Sequence, residues 1–153
     1  MSDVRMIEVL LGRIVIHEQG DSHYIVLVEK GGKRHFPIVI GRAEVSEIRR
    51  VIANEDVPRP LTHQLAHAIA RSLGAEVVRT EIVNLARNTF FALLILRREA
   101  DGTEVAIDAR PSDAVALALR AKAPIFVAES VLEQVRTDHD GPDPLPPPAP
   151  PEP

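Results

Sequence analysis

Eight of the thirteen prolines crowd into residues 142–153, and this sets where the fold must stop. A run reading Pro-Leu-Pro-Pro-Pro-Ala-Pro-Pro-Glu-Pro has few N–H donors to pair as a strand and little apolar surface to bury. It is expected to be extended, polyproline-II-like and solvated. Four acids (Asp138, Asp140, Asp143, Glu152) lie beyond Thr137 with no base among them. The chain therefore divides into a folded unit over residues 1–136 and an acidic, proline-rich, disordered tail over 137–153.

The folded part is one domain's worth of chain, enough to bury a core without metal or disulfide staples. There is no cysteine, which excludes a disulfide framework, a Cys-ligated zinc or iron–sulfur centre, and a thiol nucleophile. No apolar run approaches the roughly eighteen residues of a spanning helix, and the start Met1-Ser2-Asp3-Val4-Arg5 lacks a signal-peptide pattern. The expectation is a cytoplasmic protein with no membrane partner. Residues 1–137 carry 18 bases and 18 acids, so a broadly basic nucleic-acid surface is ruled out and any polyanion must meet a local patch. Fifteen of the 18 bases are arginine, the better residue for bidentate contacts to phosphate or carboxylate.

Along the chain, β-branched and aliphatic residues over 6–17 read as a strand with Gly12 as a bulge. A second strand follows over 24–29. Lys30-Gly31-Gly32-Lys33 is a hairpin signal, and 34–40 is a third strand that Pro37 assigns to an edge or bulge. Helices are expected over 43–54, 61–73 and 112–122. The second should bury Leu65, Ala68, Ile69 and Leu73 and stop at Gly74; the third, with Ala114-Val115-Ala116-Leu117-Ala118-Leu119, should be largely buried. Strands are expected over 77–85, 89–98, 104–108 and 125–128, with a short helix over 130–135. The strand 89–98 is apolar on both faces, as a central covered strand would be. Strands and helices are grouped rather than alternating, which gives an α+β fold: a mixed, mostly antiparallel sheet covered by three to four helices.

Chemistry concentrates where the strand ending at Asp108 gives way, through Ala109-Arg110-Pro111-Ser112, to a helix carrying Asp113 in its first turn. A helix start presents unpaired N–H groups and a positive dipole end, a natural anion site. Two aspartates there would need a divalent cation between them to attract a phosphodiester. The plainer reading is equally coherent: Ser112 caps the helix, Asp113 meets the dipole, and Arg110 neutralises both acids. His63 and His67 share the i, i+4 spacing of a zinc-protease helix, but Gln64 replaces its general-base glutamate. A fortuitous surface pair is the better account, with His63 retained as a proton donor or phosphate contact. Glu44 and Glu47 sit near a helix start, and Glu47 has Arg50 three residues on. Arg59 is held rigidly between Pro58 and Pro60, which limits the entropy lost on binding. Aromatics are scarce and lie in apolar runs, which disfavours a base-stacking sheet. There is no Walker A loop, dinucleotide fingerprint or Gly-x-Ser-x-Gly elbow.

Five segments then occur in a telling order: Pro37-Ile38-Val39-Ile40-Gly41 with Glu44; Pro58-Arg59-Pro60-Leu61-Thr62-His63; Thr89-Phe90-Phe91-Ala92; Asp108-Ala109-Arg110-Pro111-Ser112-Asp113 with the following 114–120; and Pro124-Ile125-Phe126-Val127. Together they closely resemble the bifunctional nuclease domain family over residues 6–132. The resemblance implies a compact α+β domain, a homodimer, and hydrolysis of phosphodiester bonds in both RNA and DNA with little sequence specificity. This chain departs from the pattern at Gln64, where the family usually has aspartate, and at Phe91, where it usually has tyrosine.

The resulting expectation is a metal-assisted nuclease. Asp108 and Asp113, with Glu44, would hold Mg²⁺ or Mn²⁺; Arg59 and Arg110 would bind the phosphate; His63 or a second water would protonate the leaving oxygen. The competing class is a noncatalytic module gripping nucleic acid, a small anion or a protein. A third is a small-molecule hydrolase using the same acids.

Overall fold

The computed structural model describes residues 4–17, 19–20, 22–137 and 145. Its seven strands are β1 (Met6–Val15), β2 (His23–Glu29), β3 (His35–Ile40), β4 (Ala75–Ala86), β5 (Thr89–Arg98), β6 (Glu104–Ala109) and β7 (Ile125–Ala128). The helices are α1 (Arg42–Ile52), α2 (Thr62–Ser72), α3 (Pro111–Ala121) and α4 (Glu129–Val135). The strands form one open sheet in the order β3-β2-β1-β7-β4-β5-β6. Two three-stranded antiparallel meanders are thus bridged by β7, which runs antiparallel to β1 and parallel to β4. This is the α+β domain with a mixed, mostly antiparallel sheet that the grouping of elements predicts.

Local chemistry explains the details. The register of β1 against β2 slips between Leu11 and Arg13, placing the bulge at Gly12. Pro37 is tolerated because β3 is an edge strand. In the β2–β3 hairpin only Gly31 takes a positive φ, of 74°. α3 is the keystone: Ala114, Val115, Ala116 and Ala118 are fully buried, and small side chains let it lie close on the sheet. The Thr80 hydroxyl donates to the Ala114 carbonyl at 3.0 Å, so the buried polar group in β4 is satisfied by the helix above it. Arg34 fastens α4 across the hairpin, donating to Glu129 and Glu133 at 2.6 Å each while its other edge pairs with Glu29.

Two expectations change. β5 lies next to the edge strand β6 rather than centrally, and Phe91 is 43% exposed. Phe36, by contrast, is fully buried, with Phe90 tilted against it at 5.9 Å. The second helix also turns the other way. Leu61, Leu65, Ile69 and Leu73 are 40%, 53%, 52% and 81% exposed, and α2 buries no residue fully. Its inward side carries His63, His67 and Ala70, which fit the shallow surface of α3 and β4 better than long aliphatic chains would. The expected tail lies outside the described residues apart from Thr137, which bridges to His35, and Leu145, whose N–H donates to the Leu11 carbonyl at 2.8 Å and which packs against the core.

Candidate acid–base cleft

The starts of α1, α2 and α3 border one open cleft of about 830 Å³. Glu44 comes from the first turn of α1, His63 from the first turn of α2, and Asp113 from the first turn of α3; Arg110 is the residue that caps α3. Gly41, just before α1, permits this arrangement: a Cβ there would stand 2.5 Å from Glu44 Oε2 and push the carboxylate off its partner. α2 begins with Gln64 Oε1 accepting the Leu61 N–H at 2.6 Å. The residue that departs from the family pattern therefore serves as a helix-start cap.

Arg110 is the hinge of the site. Its Nη2 donates to Glu44 Oε1 at 2.6 Å and its Nε to Asp113 Oδ2 at 2.8 Å. Nη1 makes no hydrogen bond among the described residues, and the side chain is 67% exposed. On the other side of Asp113, Oδ1 lies 2.8 Å from His63 Nε2. Burial pushes the Asp113 carboxyl up, but hydrogen bonds from Arg110 and His63 outweigh it and hold the group below its ordinary range. An ionised carboxylate only accepts, so His63 Nε2 must carry its proton. The remaining nitrogen, Nδ1, is then a hydrogen-bond acceptor in the neutral ring. Arg110, Asp113 and His63 thus form one hydrogen-bonded chain with Asp113 in the middle.

Asp108 is elsewhere. It pairs with Leu93 in the β5–β6 register, whereas Ala92 and Leu94, one residue to either side of Leu93, pack under α3. Because side chains alternate along a strand, Asp108 projects from the face of the sheet turned away from α3, and Ala109 from the face beneath it. The sheet itself separates Asp108 from Asp113, so the paired-aspartate seat for a cation is not assembled. The remaining acids are already matched by Arg110 and His63. Among the described residues no three His, Asp or Glu side chains are grouped so as to hold a metal ion. The donor set thus does not fit a ready-made Mg²⁺ or Mn²⁺ site. Arg59 is exposed in the connection before α2 and does not line the cleft, although the adjacent Pro60 does. The two histidines also part company: burial and the nearby Arg71 and Arg120 push the His67 imidazole down, while His63 turns to Asp113.

Two residues of the wall were not singled out by spacing. Arg50 lines the cleft while its Nη2 donates to Glu47 Oε2 at 3.2 Å, and Ser46 lies one turn before it. The i, i+3 pairing of Glu47 with Arg50 was the available signal for Arg50; nothing in the sequence marks Ser46.

An open-sheet α+β domain whose helix starts converge on a histidine–aspartate–arginine cleft defines the class. The sequence pattern of the bifunctional nuclease domain matches residues 25–140, and the chain belongs to that family. It is 38% identical over 127 residues to an uncharacterized protein of Mycobacterium tuberculosis, covering 83% of this chain and 74% of the relative. It is 28% identical over 121 residues to bifunctional nuclease 2 of Oryza sativa subsp. japonica, covering 78% of this chain and 37% of the rice protein. Bifunctional nuclease 1 of Arabidopsis thaliana is 28% identical over 104 residues, 67% of this chain and 32% of its own length. The chain therefore spans about a third of the plant proteins it matches. No helix among the described residues is long and apolar enough to cross a membrane.

Proposed function

We propose that this protein is a nuclease that hydrolyses phosphodiester bonds in RNA and DNA with little sequence preference, by acid–base chemistry in the cleft. The observation that carries the reading is the continuous Glu44–Arg110–Asp113–His63 network opening on solvent in a member of this family. Arg110 offers its outer edge to a nonbridging phosphate oxygen and stabilises the charge that grows there as the phosphorus is attacked. His63 Nδ1 takes the proton of the attacking water, or of a ribose hydroxyl in RNA, Asp113 steadies the imidazolium that results, and as the P–O bond to the leaving oxygen breaks a second water gives that oxygen its proton. Glu44 fixes the angle of Arg110.

The test is digestion of labelled single- and double-stranded RNA and DNA with Mg²⁺, Mn²⁺ or EDTA, beside His63→Gln, Asp113→Asn and Asp108→Asn proteins purified identically. The first two variants should lose activity and Asp108→Asn should keep it, with EDTA leaving the rate unchanged. Activity that vanishes in EDTA, or survives in Asp113→Asn, would overturn this mechanism.

The noncatalytic reading has one observation in its favour: both acids of the cleft are already satisfied by Arg110. It predicts nucleic-acid binding without turnover in every metal condition. We also propose a homodimer in which the exposed Ile69 and Leu73 on the outer side of α2 meet their copies, while Leu61 and Leu65 wall the cleft.

A further inference from the structure

Arg110 lines a second pocket besides the cleft. It measures about 550 Å³ and is walled by β3, the turn from Asn88 to Phe90, and the first residues of α3. Three kinds of hydrogen-bond donor come together there. The first is the backbone. Pro111 occupies the first helical position and has no N–H, and Ala114 already donates to the Arg110 carbonyl. Among the described residues the N–H groups of Ser112 and Asp113 are left without acceptors, and no side chain caps them. The second is Ser112 itself. The sequence suggested it as the helix cap, but Arg110 holds that place, and Ser112 is 7% exposed with no hydrogen-bond partner for its hydroxyl among the described residues. Its oxygen is not sealed from solvent, since among the described residues only His23 Nε2 is a buried side-chain polar atom without a partner, and the hydroxyl is free to donate into the pocket. The third is Arg110, whose guanidinium gives Nη2 to Glu44 and Nε to Asp113 and keeps Nη1 free.

Donors of these three kinds suit a ligand rich in acceptors and negative charge, with the Glu44 carboxylate close behind Gly41 on one side of the pocket. A phosphoryl group supplies both, and a helix start favours it electrostatically. Beyond the donors the walls become apolar, with Pro37, Ile38 and Phe90 offering flat or aliphatic surface and Thr89 at the margin. A pocket of this volume suits a nucleotide-sized group.

We infer that this pocket is a nucleotide subsite, in which a phosphate rests on the start of α3 against Ser112 and its nucleoside lies along Phe90 and Pro37. Arg110 then stands between two neighbouring phosphates of a bound strand, one in the cleft and one here. The strand as the source of the nucleotide rests on the nuclease reading; the donor chemistry does not.

The experiment measures binding rather than turnover. A labelled phosphorothioate oligonucleotide, adenosine 5′-monophosphate and inorganic phosphate are titrated into full-length wild type, Ser112→Ala and Ser112→Asp. Losing one hydrogen bond to a charged group should weaken oligonucleotide and mononucleotide about tenfold in Ser112→Ala. Placing a carboxylate at the helix start should weaken them further, with thermal stability and circular dichroism unchanged. Oligonucleotide binding that is equal in Ser112→Asp and wild type would overturn the inference. A mononucleotide that binds no more tightly than inorganic phosphate would overturn the nucleoside half of it. Failure of the nuclease reading shows separately, as unchanged digestion by His63→Gln.

Discussion

Glu44 and Glu47 stand one turn apart on the same helix, yet their surroundings give them opposite work. Glu47 is wholly buried and held by two guanidinium groups, Arg50 from its own helix and Arg120 from α3. One acid matched by two cations, out of reach of water, is a clamp between α1 and α3. Glu44 lies at the cleft edge and shares a single guanidinium with Asp113, whose other oxygen faces an imidazole. Two acids on one arginine leave the charge open to adjustment by a proton or an anion. The lesson is that identical residues in one helix are sorted into scaffold and chemistry by how many cations surround them and how much water remains.

The sharpest way to break this contrast is to remove each acid in turn. Glu47→Ala removes a wholly buried carboxylate and leaves Arg50 and Arg120, each about a fifth exposed, without this acceptor; it should cost about 1–3 kcal/mol of stability by urea unfolding, while the folded fraction keeps its activity. A loss below about 1 kcal/mol would mean that the clamp is ornamental. Asp113→Asn should do the reverse. Activity should fall about a hundredfold, equivalent to about 2.7 kcal/mol of transition-state stabilisation, with a smaller loss of stability than in Glu47→Ala because Asp113 and Arg110 are partly exposed.

Acid titration sharpens the comparison further. The Asp113 carboxyl is held below its ordinary range in the folded protein, so its contribution is fully present above the unfolded value and is lost as pH falls through the folded one. Below about pH 4 wild type should therefore lose stability more steeply than Asp113→Asn. Parallel curves would show that Arg110 and His63 do not favour the ionised form. A smaller effect is expected from Gly41→Ala, which crowds Glu44 Oε2 and should lower activity several-fold through Arg110 without unfolding α1. Smallest of all in stability, within about 0.5 kcal/mol, is Ile69→Glu on the outer side of α2. Its readout is mass by light scattering, and a wild-type protein that is monomeric at every concentration would remove the dimer proposal.

Much of the fold was legible because its signals are local. The β5 and β7 boundaries follow from apolar runs closed by turns, and the bulge at Gly12 and the edge placement of Pro37 follow from backbone chemistry alone. What failed was anything that depends on which side of an element is inside. The apolar stripe of α2 has sound helical periodicity, but periodicity names a face without saying what lies opposite, and here that face looks outward. Asp108 fails for the same reason in strand form. It sits five residues from Asp113, yet alternation along β6 sends it to the far side of the sheet. Glu44, His63, Arg110 and Asp113 were each found by residue type and motif. Their meeting depends on three separate helix starts, which no spacing along the chain encodes.

The position of β7 has a consequence for how the molecule comes into being. This four-residue strand is the sole seam between the two halves of the sheet, and it is encoded at Ile125, after all six of its fellow strands. Each meander can zip up as it leaves the ribosome, but their union must wait until nearly the whole domain has been synthesised. Ending synthesis before Ile125 would leave two three-stranded ribbons with raw inner edges, prone to join other chains instead of each other.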